Sequence, residues 1–167
     1  MKLGILSESH GSVFRTKAGL RHLLSHPVET VIHCGDIGSE SVVIELQSRL
    51  EAKKIPFYAV LGNVDYPDDA FLHLSKPGEF EILGRFGDVK IANKRIAIVH
   101  GDDTTKLSFA ITSGDYDYVF TGHTHQKDDR RYENTRVINP GAVYRSSEPT
   151  VAILDLANDA LEFLSIS

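Results

Sequence analysis

The sequence predicts an α/β fold: one domain in which two β-sheets pack together and helices cover them. Three observations predict it. In the first half, short apolar runs at strand period alternate with segments at helical period. In the second half, short strand-like runs follow one another with turn residues between them. The 167 residues are 41% hydrophobic and 25% charged, enough chain for one proper core and too apolar for disorder. No linker, repeat or low-complexity tract divides the halves, so residues 1–167 are expected to form a single domain.

Lys2 to Ser7 reads as a short buried strand. Val13 to Ser25 places Val13, Phe14, Leu20, Leu23 and Leu24 at helical spacing, and Pro27 closes that helix. Thr30 to Cys34 is rich in β-branched residues and is the second strand. Ser39 is positioned to cap a helix whose apolar face is Val42, Val43, Leu46 and Leu50. Phe57 to Leu61 is the third strand. Crossovers of this length between strands imply parallel pairing. Phe80 to Leu83, Phe86 to Ala92 and Lys94 to Val99 read as consecutive strands, with tight turns at Gly84-Arg85 and Asn93-Lys94. A helix is expected over Thr104 to Thr112, stopped by Gly114, and a strand over Tyr116 to Phe120. The remaining strands are Arg130 to Glu133, Thr135 to Ile138, Val151 to Leu156 and Leu161 to Ile166. Their turns are Glu133-Asn134 and Ala157-Asn158-Asp159.

Composition excludes several functions. A net charge of −5 argues against a broad electrostatic grip on nucleic acid or an anionic membrane surface. A single cysteine excludes an internal disulfide framework and a multi-cysteine metal site, and it fits a reducing compartment. The N-terminus runs straight from Ser7 into Glu8 and His10, unlike a signal peptide, and no apolar stretch approaches the ~20 residues of a membrane span. A cytoplasmic location is the expectation. Any metal site must be built from histidine, carboxylate and amide groups.

Five strands deliver such groups in the same way: an apolar run, a small residue, then a metal-type ligand. The first runs into Glu8-Ser9-His10-Gly11, the second into Gly35-Asp36 and the third into Gly62-Asn63. Two more end at His100-Gly101 and Gly122-His123-Thr124-His125. In α/β sheets ligands gather beyond the carboxyl ends of parallel strands, so the five clusters should converge on one crevice. Glycine beside each ligand permits close approach or an unusual dihedral. Residues i and i+2 of an extended chain share a face, which would aim Glu8 with His10, and His123 with His125, into one site. One glutamate, one aspartate, one asparagine and four histidines are too many for a single tetrahedral ion and too oxygen-rich for structural zinc. Imidazole with carboxylate suits Mn, Fe, Ni, Zn or Co, and Asp36 is placed to bridge two ions. Two ions about 3.5–4 Å apart clamp the attacking and leaving oxygens of a displacement at phosphorus. The residues alone thus reach a dinuclear metal hydrolase.

The order Glu-x-His, Gly-Asp, Gly-Asn, His-Gly and Gly-His-x-His resembles that of the calcineurin-like metallophosphoesterases, and within them the small YfcE-type phosphodiesterases. The resemblance extends to Asn139-Pro140-Gly141 and covers nearly the whole chain. It implies a four-layer αββα sandwich: two mixed β-sheets flanked by helices. It implies a first ion held by Glu8, His10, Asp36 and His125, and a second held by Asp36, Asn63, His100 and His123. Two divalent ions are expected, Mn foremost, and a hydroxide bridging them would attack phosphorus in line. The substrate would be a small phosphate ester, a diester ahead of a monoester; Asn63 and Arg145 are candidate substrate contacts, and a homodimer is an open possibility.

Three positions depart from the family pattern. Glu8 stands where the family has aspartate, and its extra methylene leaves direct coordination, coordination through water or a weakened first site open. Val64 stands where larger members carry a leaving-group histidine. Asp102 follows His100-Gly101 where the subgroup often has a further histidine. Glu8 is also the feature that favours a rival function, an interaction scaffold with a degenerate metal site, as in a eukaryotic retromer subunit of this fold. The other histidines have simpler readings. His22 and His26 complement the end of the first helix, His33 is a core or supporting residue and His73 is a loop residue. Cys34 is expected to be a buried small hydrophobe, and Asp65 either orients a ligand or serves the turn before Pro67.

Overall fold

The computed structural model describes residues 1–166, so the last position of the expected domain, Ser167, lies outside it. The chain runs β1 (Lys2–Leu6), α1 (Val13–Leu24), β2 (Thr30–His33), α2 (Glu40–Glu51), β3 (Phe57–Ala59), α3 (Asp69–Leu72) and β4 (Phe80–Ile82). It continues β5 (Gly87–Ile91), β6 (Lys94–Ile98), α4 (Thr104–Thr112), β7 (Tyr118–Phe120), β8 (Lys127–Tyr132), β9 (Thr135–Pro140), β10 (Thr150–Asp155) and β11 (Ala160–Ser165). One sheet has the order β11-β10-β1-β2-β3-β4 and the other β5-β6-β7-β9-β8. Strands β1 to β4 are mutually parallel, as are β6, β7 and β9, and antiparallel strands flank both runs. Both sheets are therefore mixed.

Strand alternation builds the layers. Ile96 and Ile98 of β6 join Leu3 and Ile5 of β1, Ile32 of β2 and Phe120 of β7 in the core between the sheets. The intervening Ala97 and Val99 face the other way and pack with Ala110 of α4. On the far side of the first sheet, Leu6, Val31 and Phe57 meet Leu20 and Leu23 of α1 and Val42, Leu46 and Leu50 of α2. Helices, sheet, sheet and helix form the four layers that the resemblance implies. Ser12, Ser39 and Asp103 cap the three long helices by accepting backbone N–H groups of their first turns.

Four local expectations change. Phe80 to Leu83 does not pair with the strand that follows it: β4 lies parallel to β3, and Gly84-Arg85 carries the chain across to the second sheet. The cause is aromatic, because the Phe80 ring stacks on its cross-strand partner Phe57 with centroids 4.1 Å apart. β8 begins at Lys127, three residues before the expected start; its charged sequence carries no alternation, and only the ladder with β9 makes it a strand. The loop after β3 contains the single turn α3, too short for a helical period to show. The β5–β6 turn falls on Ala92 and Asn93, one residue before the expected Asn93-Lys94, because these two hold the positive φ that a two-residue hairpin turn requires.

Candidate metal centre

The strands β1, β2, β3, β6 and β7 end at one edge of the sandwich, and their following loops bring the polar residues together. Glu8 Oε2 lies 2.9 Å from His125 Nε2 and 3.1 Å from His10 Nε2, and the two imidazole nitrogens are 3.2 Å apart. Asp36 stands between two groups: Oδ2 is 3.6 Å from His10 Nε2, and Oδ1 is 3.3 Å from His100 Nε2. His100 Nε2 is also 3.2 Å from Asn63 Oδ1. The His123 ring stands edge-on to His100 with centroids 5.1 Å apart. Glu8, His10 and His125 form one compact donor group, and Glu8, Asp36 and His100 another.

The backbone reaches this arrangement by an unusual route. Glu8, His10, Asp36, His123 and His125 all have positive φ, between 43° and 67°. Side-chain-bearing residues rarely adopt this left-handed conformation, and it persists only where surrounding contacts enforce it. The expected sharing of a face by i and i+2 in extended chain therefore does not describe these loops. His123 and His125 turn to different partners, His100 and His10 respectively. Adjacent glycines supply room: a Cβ at Gly62 would sit 2.2 Å from Asp36 Oδ1, and one at Gly122 would sit 2.8 Å from Glu8 Oε1.

Buried polar groups stitch the loops to one another. Glu8 Oε1 accepts the His123 N–H at 2.6 Å and the Ser7 hydroxyl at 3.1 Å, so one carboxylate ties the β1 loop to the β7 loop. His100 Nδ1 donates to the Cys34 carbonyl at 2.9 Å, which leaves Nε2 facing Asp36 and Asn63. His125 Nδ1 donates to the Arg145 carbonyl at 3.1 Å, with the same effect on its Nε2. Asp65, fully buried, accepts the N–H groups of Ile37, Gly38 and Gly62 at 2.7–3.0 Å and so joins the Asp36 and Asn63 loops. Asn139 donates to the Gly122 carbonyl at 2.7 Å and to the Thr124 hydroxyl at 3.1 Å, holding the His123–His125 loop.

Electrostatics follow the burial. Burial disfavours a charged His100, but its hydrogen bond to Asp36 and the charge of that carboxylate outweigh burial and raise its pKa. Asp36 moves the opposite way: burial pushes it up, and the His100 hydrogen bond and charge pull it below the usual carboxylate range. Burial, assisted by the neighbouring His100, lowers His33 to about 3, so this ring is neutral. Burial, with the charge of Glu8, pushes the Cys34 thiol up and leaves it inert. Among the described residues, the ion pairs of Glu8 and Asp36 are with histidines alone; no Lys or Arg neutralises them. Two convergent carboxylates without a fixed cation, ringed by imidazole nitrogens, are the donor set that divalent ions require.

The remaining sequence candidates separate clearly. Arg145 is exposed, with its guanidinium 5.9 Å from the Tyr144 ring centroid, and only its carbonyl touches the cluster. His22 lies in the last turn of α1, and its carbonyl is bonded by His26 Nδ1 at 3.2 Å. His73 is on the surface, bonded to the Asp69 carbonyl at 2.9 Å. One residue escaped the sequence reading. Arg85 donates to the Gly62 and Asp65 carbonyls, both at 2.9 Å, and pairs with Asp68 at 2.6 Å, clamping the Asn63 loop from outside. Nothing in its spacing announces that role.

The profile of the calcineurin-like phosphoesterase superfamily domain matches residues 1–159. The chain belongs to this superfamily. Phosphodiesterase MJ0936 of Methanocaldococcus jannaschii is 36% identical over 158 residues, 93% of each chain. Among solved structures, an archaeal phosphodiesterase superposes with a TM-score of 0.86 at 32% identity over 99% of both chains. The Escherichia coli phosphoesterase YfcE gives 0.68 at 20% identity over the full length of both, a likeness of fold. The resemblance drawn from the sequence to calcineurin-like phosphoesterases thus stands over residues 1–159, and the likeness to YfcE is one of fold.

Proposed function

We propose that this calcineurin-like phosphoesterase is a metal-dependent phosphodiesterase that hydrolyses a small phosphate ester at a centre of two divalent ions. The position of Asp36, one oxygen toward His10 and the other toward His100, carries the reading. Glu8, His10, Asp36 and His125 would hold one ion, and Asp36, Asn63, His100 and His123 the other. Mn²⁺ is the first choice for mixed imidazole and carboxylate donors, with Ni, Fe, Zn or Co as alternatives. Held there, the ions would acidify a water molecule and offset charge on the phosphoryl oxygens.

The protein's own part is positional. Carbonyl partners on the far nitrogens of His100 and His125 fix the tautomers that turn Nε2 inward. Asn63 and His123 are exposed and form the lip through which a substrate enters. Arg145, whose carbonyl accepts from His125 Nδ1, would meet a phosphate oxygen as a planar donor if its guanidinium turned from Tyr144 toward the cluster. Val64 provides no proton to a leaving group, so solvent at this open edge must supply it. The name of the M. jannaschii relative supports a diester over a monoester. The single buried cysteine is in keeping with a cytoplasmic setting.

Glu8, the departure that favours a scaffold role, still delivers a carboxylate oxygen to the donor group. The test is hydrolysis of bis(4-nitrophenyl) phosphate with Mn²⁺. Asp36→Asn and His100→Ala should each lower the rate at least about 100-fold. Full activity in both variants would overturn the reading.

A further inference from the structure

The mechanism above leaves one fully buried titratable ring unused: His33, the last residue of β2. It lies where the loops after β1 and β2 run side by side. Those loops carry Glu8 and His10 on one side and Asp36 on the other. Backbone bonds join them, with the His10 N–H on the Asp36 carbonyl at 2.9 Å and the Gly11 N–H on the Ile37 carbonyl at 2.9 Å. The His33 side chain adds a further tie. Its Nδ1 accepts the Gly35 N–H at 3.1 Å. The ring proton of the neutral imidazole is therefore on Nε2, which donates to Ser9 Oγ at 2.8 Å.

Each nitrogen thus has one partner, and each partner adjoins a candidate ligand. Ser9 sits between Glu8 and His10 and is itself fully buried; Gly35 immediately precedes Asp36. A leucine could fill this core position but would leave the Ser9 hydroxyl and the Gly35 N–H without these partners. A buried imidazole is costly unless both nitrogens are satisfied, and here both are satisfied by the two loops. The residues it flanks need such support, because Glu8, His10 and Asp36 hold φ of 62°, 43° and 54°. Left-handed backbone relaxes when its surroundings loosen.

We infer that His33 is a positioning residue of the metal centre, a strut that fixes the Glu8–His10 loop against Asp36 and so sets the affinity of the ion held by Glu8, His10, Asp36 and His125. The inference rests on the metal-centre reading above. Ser9 is its working end on the β1 side, and the strut acts on the first site more than on the second, because Asn63, His100 and His123 come from other loops.

The experiment is a calorimetric Mn²⁺ titration of chelator-stripped protein. His125→Ala identifies the binding event of the first site, and Asn63→Ala that of the second. Ser9→Ala should weaken the first event about tenfold, within the range known for partners that orient metal ligands, and leave the second within about threefold. His33→Leu should do the same or more. His33→Gln, whose amide reaches the Nε2 position, should recover most of the loss. Ser9→Ala removes one hydroxyl and carries the test even if His33→Leu does not fold. Equal weakening of both events, or no change in either, would overturn the strut while leaving the metal centre intact. A wild-type protein that takes up no Mn²⁺ would overturn both.

Discussion

Glu8 divides its carboxylate between two tasks, with Oε1 on the His123 N–H and the Ser7 hydroxyl and Oε2 toward His10 and His125. The side chain is one methylene longer than the family's aspartate, and that length lets one group reach both. Glu8→Asp withdraws the carboxylate by about one carbon–carbon bond, ~1.5 Å, and strands the His123 N–H. Losing this part-buried hydrogen bond to a carboxylate costs about 1–3 kcal/mol, so the metal-free protein should melt roughly 3–9 °C lower. The Mn²⁺-dependent rate should fall. Scanning calorimetry and the aryl diester assay check this, and a faster enzyme would show that glutamate is an impairment. At this scale the types and numbers of the clustered residues were legible in sequence. Their dihedrals were not, since a left-handed Glu8 or His125 is imposed by contacts with loops far away in the chain.

The strands act as delivery arms, and the close approach of neighbouring loops decides where each ligand ends. Gly62 packs so tightly on the Asp36 loop that a Cβ would lie 2.5 Å from Asp36 N as well as 2.2 Å from its Oδ1. Gly62→Ala must displace Asp36, and it should lower Mn²⁺ uptake and diester hydrolysis at least about tenfold. Gly114→Ala is the matched control: φ is +75° there, nothing lies within 4 Å of the added carbon, and the cost is backbone strain alone. It should bind Mn²⁺ normally. Equal binding by the two variants would show that the close approach is unimportant. The elements read correctly were those with strong periods, such as α1, α2 and β6. Those misread owe their state to partners: β4 to the Phe57 ring, β8 to its ladder with β9.

Across the whole molecule, burial of polar groups beneath the candidate metal centre links stability to pH. His33 titrates near 6.5 when exposed and at about 3 in the folded core. Below pH 6.5 the unfolded chain binds a proton that the folded chain refuses. The stabilisation is therefore present above 6.5 and is lost as pH falls toward 3, with a slope of at most about 1.4 kcal/mol per pH unit. Denaturant titrations in chelator at pH 7 and pH 4.5 check this. The stability advantage of wild type over His33→Leu should shrink on acidification. An advantage that is constant or grows at the lower pH would mean that the buried ring is not neutral.

The sequence by itself determined the α/β class, the two-part organisation and the set of polar residues that the strand ends carry. Those features depend on local period and on residue type, which a chain carries wherever it goes. Only the tertiary structure decided how the set is arranged. Strand order put five loop ends on one edge, the parallel pairing of β4 with β3 brought Arg85 against the Asn63 loop, and His33 and Asp65 tied neighbouring loops together. These decisions come from contacts between residues distant in the chain, where burial demands a partner for every polar group and the fold determines which partner is in reach.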